Sequence, residues 1–151
     1  MIKNKKILSP HFLTVFIVFI GSLYLAEALN AAASPWWSTK QGAVRLLSNT
    51  NAVGNSQDLK LGLHFKMKPG WKIYWRSPGD AGYPPRIDWS GSQNIKEIRM
   101  NWPAPTRFRV LGMETLGYKN EVVFPLKLIS SDSKRSILIR AKVNYLTCNK
   151  I

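Results

Sequence analysis

An antiparallel β-sandwich is the fold that the sequence predicts for the residues after position 34. Three observations carry that expectation. First, Leu59, Leu61, Leu63, Phe65 and Met67 alternate with Lys60, His64 and Lys66, the two-residue period of a strand with one face buried. Second, Pro and Gly punctuate the chain at short intervals, at Pro69-Gly70, through residues 77–85 and at Pro103 and Pro105, which suits many short strands joined by turns. Third, no stretch after position 34 combines a helical period with caps. A small closed barrel is the alternative arrangement of the same elements. The 151 residues suit one domain, and 45% hydrophobic with 11% aromatic content suffices for a packed core, which excludes global disorder.

The N-terminus reads differently from the rest. Lys3, Lys5 and Lys6 precede an uncharged apolar run over residues 12–26, followed by the small-x-small sites Ala26-Glu27-Ala28 and Ala31-Ala32-Ala33. This is the layout of a secretory signal peptide, so residues 1–33 are expected to be a signal and residues 34–151 the domain. The run falls short of the ~20 residues of a spanning helix, which favours cleavage over an uncleaved anchor. The formal charge of +14 loses three lysines and Glu27 with the signal, leaving +12. The basic residues are spread out with no block of five or six, so no nucleic-acid arm is written locally.

After the lead-in from Ser34, the expected strands are residues 43–48, 59–67, 71–76, 86–90, 94–102, 106–111, 121–129 and 136–148. Residues 49–58 and 77–85 are loops by composition. The strands at 86–90 and 94–102 flank a turn at Ser90–Ser92, and residues 112–118 form a looser segment. Pro125 inside a strand argues for an edge position or a bulge. Residues 130–134 have the length of a hairpin connection. The aromatic set Trp71, Tyr74, Trp75, Trp89 and Trp102 reads as core.

Chemistry-bearing residues are few. Cys148 is the one cysteine; it suits a small buried hydrophobe, a metal ligand or half of a redox pair. A signal peptide points to an oxidising compartment, where an odd cysteine calls for an explanation. His11 leaves with the signal, and His64 falls on the polar face of its strand, hence solvated. One His and one Cys make no metal site, so no metal and no cofactor is expected. Asp80, Asp88, Glu97, Glu114 and Glu121 lack the spacing of paired acid and base, and neither a Ser-His-Asp order, a phosphate-cradling loop nor a heme-attachment motif is present.

Four motifs in order then become informative: residues 69–90, from Pro69-Gly70-Trp71 through Gly79-Asp80-Ala81-Gly82-Tyr83-Pro84-Pro85; residues 102–108; residues 117–125, with Gly117-Tyr118 and Glu121 to Pro125; and Tyr145-Leu146-Thr147-Cys148. Together they resemble the N-terminal periplasmic domain of the thiol:disulfide interchange protein DsbD family, most closely its suppressor-of-copper-sensitivity branch. The resemblance spans about residues 36–151. It implies an immunoglobulin-like sandwich in the periplasm with a redox-active cysteine pair. A membrane-embedded thiol reductase domain reduces that pair, and periplasmic thioredoxin-like proteins, of disulfide isomerase or cytochrome c maturation type, receive the electrons. Cys148 matches the first cysteine of a Cys-x-x-x-Cys pair and residues 149–151 its spacer, so the chain is expected to be a fragment that lacks the second cysteine and the closing strand. An intact pair would make it part of a protein-disulfide reductase. The resemblance also implies a shielding loop, for which residues 112–118 are the candidate, with Met113, Glu114 and Tyr118 as its residues. A non-catalytic immunoglobulin-like interaction module is the alternative function. Lys150 would favour the thiolate if the pleat continues past Cys148.

Overall fold

The structure, a computed structural model, describes residues 32–50 and 56–149. The expected signal run, the cleavage site at residues 26–28 and Lys150 lie outside the described residues. Within them the strands are β1 (Trp37–Ser38), β2 (Gly42–Ser48), β3 (Asp58–Met67), β4 (Lys72–Gly79), β5 (Arg86–Asp88), β6 (Ile95–Met100), β7 (Thr106–Val110), β8 (Met113–Lys119), β9 (Glu121–Ser130), β10 (Lys142–Asn144) and β11 (Thr147–Cys148). They pair antiparallel in one sheet of order β1-β2-β3-β9-β6, a second of order β11-β4-β8-β7, and a small β10-β5 ribbon.

Alternation along the strands builds the core. On β3, Leu63, Phe65 and Met67 face inward, and on β9, Val122, Phe124 and Leu126 do the same; Ile73 of β4 and Tyr118 of β8 close on them from the second sheet. Phe124 is fully buried and sits at the centre of an edge-to-face array. Its ring lies 5.6 Å from Phe65, 5.1 Å from Trp102 and 5.1 Å from Tyr118. Such offset geometry places positive ring edges against negative faces. Trp71, Trp75, Trp89 and Trp102 pack against this core as expected, and Tyr145 reaches Phe65 at 5.1 Å.

Several expectations are corrected. All of the expected looser segment but Gly112 lies in strand β8, which pairs with β7 through a two-residue turn. Leu111 and Gly112 both have positive φ, 50° and 82°, with Val110 opposite Met113, the twist that tight hairpins require. Leucine in place of the usual Asn hides this turn from the sequence. The segments at 86–90 and 94–102 do not pair with each other; β5 joins β10 and β6 joins β9. The expected long strand at 136–148 is broken: it touches Gln93 through Leu138, then β5, then β4, because it crosses from one sheet to the other. The connection at 130–134 is therefore no hairpin. Pro125 lies in an interior strand, between β3 and β6. Its carbonyl accepts from Asn101 N–H at 2.8 Å, just past the end of β6. Since N and C=O of one strand residue point the same way, the missing N–H falls where the β6 ladder has already ended. The lead-in is partly ordered by pairing too, as Trp37 and Ser38 form β1 against β2.

Replacing Phe124 by Ala is expected to cost about 3–5 kcal/mol, the range for deleting a buried aromatic ring. A urea unfolding midpoint that scarcely moves would show that the aromatic array is not the centre of the core.

Candidate functional site

Cys148 lies on the two-residue strand β11, half-buried, with a free thiol that donates to the Asn149 carbonyl at 3.3 Å. Register fixes its surroundings. Thr147 is opposite Ile73 and Cys148 opposite Lys72, and laterally paired residues share a face. Ile73 points into the intersheet core, so Cys148 points to the outer face of the second sheet, together with Lys72 and Tyr74.

That outer face is itself covered. Lys72 and Tyr74 are each only 3% exposed, Phe108 is 8% exposed and Thr115 is fully buried. The Lys72 ammonium rests 4.3 Å over the Phe108 ring, a cation held by a π face, and the Tyr74 and Phe108 rings are 6.3 Å apart. Thr115 Oγ1 donates to the Phe108 carbonyl at 2.9 Å, which satisfies the buried hydroxyl. The cover over Tyr74 is the Gly/Pro-rich loop after β4. At Gly82, with φ +121°, an added Cβ would stand 2.2 Å from Tyr74 Cδ1, so the loop backbone lies flat on the ring. Asp80 fastens the loop to β8: its N–H donates to the Glu114 carbonyl and its Oδ2 accepts from Glu114 N–H, both at 2.9 Å.

Tyr74 shares the thiol's face of the sheet, two residues along β4 from the cross-strand partner of Cys148. Burial first, then a hydrogen bond with Cys148 and its charge, push the phenol from 10.0 up to about 12. The hydroxyl therefore stays protonated throughout the range where thiols exchange and can donate to sulfur. A half-exposed thiol at a strand end suits attack on an external disulfide, which needs an accessible sulfur.

Residues 43–151 match the family described as thiol:disulfide interchange protein DsbD, N-terminal. The chain belongs to that family. A solved structure, the N-terminal periplasmic domain of ScsB from Proteus mirabilis, is similar at 34% identity and a TM-score of 0.66 over 81% of this chain. This chain spans 47% of that one, less than half its length. Among curated proteins none matches the chain. The fold of this DsbD-family domain is all-β and immunoglobulin-like, as expected.

The other residues singled out in the sequence fall in different places within the DsbD-family domain. Met113 shares the outer face with Cys148 by register, at the end of the hairpin. Glu114 pairs its carboxylate with Arg109 and gives its backbone to Asp80. Tyr118 faces the core and donates from its hydroxyl to the Pro103 carbonyl at 2.8 Å; it is not brought to Cys148. His64, expected to be solvated, is 6% exposed. Its Nδ1 accepts from Arg45 Nε at 3.2 Å, its Nε2 meets Glu121, and the Trp36 ring leans on it, tilted by 55° at 4.8 Å. Cross-strand partners and the N-terminal segment close over a residue that alternation alone puts on the wet side. Among the described residues no three His, Cys, Asp or Glu side chains gather as a metal site. Tyr74 was hidden among core aromatics in the sequence reading; the signal that finds it is parity, since it alternates with Ile73 and Trp75.

Burial also pushes the Tyr118 phenol up to about 12, against the pull of Arg76. Tyr74 and Tyr118 thus hold their protons more tightly folded than unfolded. Their contribution to stability is complete below about pH 10 and is lost as pH rises towards about 12. Urea midpoints are expected to stay level up to about pH 9 and then fall, with a shallower fall in Tyr74→Phe and Tyr118→Phe. An unchanged alkaline slope in both variants would remove the two phenols as its cause.

Proposed function

We propose that the domain performs thiol–disulfide exchange in the periplasm, with Cys148 as the residue that bonds to the partner's sulfur. The single observation that supports it most is the placement of the thiol: half-exposed on a strand end, on the sheet face it shares with Lys72 and Tyr74. In the proposed cycle a membrane-embedded reductase supplies electrons and thioredoxin-like proteins receive them. Both belong to what the family resemblance implies for a longer protein with a cysteine pair. Exchange through a single thiol reaches a mixed disulfide, since one sulfur cannot close an intramolecular bond. Met113, on the thiol's face of the sheet, is the proposed shield among the three residues singled out for that role.

A second reading, a binding module without redox turnover, is favoured by one feature. An open cleft of about 660 Å³ lies beside the strand that carries the thiol, lined by Trp37, Gln41, Val44, Val143, Tyr145 and Thr147. Trp37 is 76% exposed at its rim.

Trapping separates the two. The reduced domain, incubated with oxidised thioredoxin-like periplasmic proteins, is expected to yield a covalent adduct that reductant releases and that Cys148→Ser abolishes. Absence of any adduct, with the folded thiol inert to a small alkylating probe, would leave the binding module as the standing reading.

A further inference from the structure

We propose that Asp80 is a positioning residue for exchange at Cys148, acting through the loop of residues 80–85 as a strap that seats the Tyr74 hydroxyl on the thiol. The proposal rests on the exchange reading and adds to it a residue that touches no sulfur. The links from Asp80 to the Tyr74 ring are contacts in the structure, and strand register carries the last one, from Tyr74 to the thiol. Asp80 grips the β8 backbone at Glu114 with two hydrogen bonds of 2.9 Å. Gly79 and Gly82 flank that grip with φ of +90° and +121°, conformations that favour glycine. The Gly82 backbone lies against the Tyr74 ring so closely that a Cβ would come within 2.2–2.6 Å of three ring carbons. Tyr74 stands two residues along β4 from Lys72, the cross-strand partner of Cys148, and a diagonal pair on one face is within reach of an aromatic side chain.

The ring has little freedom elsewhere, with Phe108 beside it and the strap above it. Releasing the strap lets the ring swing outward and takes the hydroxyl from the sulfur. In the exchange step the Cys148 thiolate attacks one sulfur of a disulfide. The new S–S bond forms as the old one breaks, and the departing sulfur leaves as a thiolate that takes a proton from water. A donor seated beside the attacking sulfur gives the attacking anion a charge-assisted hydrogen bond, so its loss slows the reaction.

The test follows the rate at which the reduced chain forms a mixed disulfide with glutathione disulfide near pH 7, with urea midpoints measured in parallel. Asp80→Ala is expected to slow it about fivefold to tenfold, near the loss in Tyr74→Phe. Asp80→Asn keeps an oxygen acceptor for Glu114 N–H and is expected to restore the parent rate. In the Tyr74→Phe background Asp80→Ala is expected to change nothing further, the coupling that a double-mutant cycle reads and that a merely structural role does not produce. Asp80→Ala matching the parent, additive losses in the cycle, or a faster reaction, as for a simple cover, would each overturn the positioning role. A parent chain that reacts with glutathione disulfide yet traps no thioredoxin-like protein counts against the exchange partners and leaves this test intact. Should Asp80→Ala lower the urea midpoint so far that the chain is unfolded at pH 7, Gly82→Ala, which must push strap and ring apart, takes its place with the same expected slowing and the same overturning results.

Discussion

The two-residue period of β4 is the constraint on which both the core and the candidate site depend. Ile73 goes inward to the Phe124 array, and for that reason Lys72 and Tyr74 must go outward. A slip of one residue would exchange the two sets, driving an ammonium into the core between the sheets and turning the isoleucine out. The register that secures the core is thus the same register that brings Tyr74 to Cys148. Stability and chemistry are held by one alternation.

An outer sheet face that carries Lys72, Tyr74 and Phe108 needs cover, and the chain supplies it with a loop of small residues. Gly82 allows the backbone to lie on the tyrosine ring, and Gly117 of β8 lets the Ile73 carbonyl approach so closely that a Cβ would stand 2.1 Å from its oxygen. The result is a second, smaller buried layer outside the sandwich proper. It is rimmed by a half-exposed thiol and fastened by a carboxylate. The same composition that reads as a shapeless Pro/Gly stretch is what permits this close approach.

The first sheet shows how a face that alternation assigns to water becomes closed. His64 has Arg45 on one ring nitrogen and Glu121 on the other, from the strands to either side, and the tilted Trp36 ring against it. Arg45 in turn lies 4.2 Å over the Trp36 ring. The N-terminal segment that carries Trp36 is also bonded to β2 through Ser34. Its attachment is made of these cross-strand contacts, none of which is local in sequence.

The sequence by itself determined the strands with clean alternation, the all-β class and the thiol as the residue of interest. It did so because a half-buried strand writes its two faces into neighbouring residues, and because one cysteine in 151 residues has no competitor. Tertiary structure alone decided the partners. The β7–β8 hairpin turned on Leu111 and Gly112, where leucine masked the positive φ. The stretch before Cys148 broke between two sheets, since its pairing partners lie 45 to 76 residues away. Tyr74 looked like one more core aromatic until pairing placed it on the far face of β4. Asp80 looked like an isolated carboxylate until its loop met Glu114. Composition and period describe what each strand buries, whereas the site is made by which strands meet, and that is set by long-range packing.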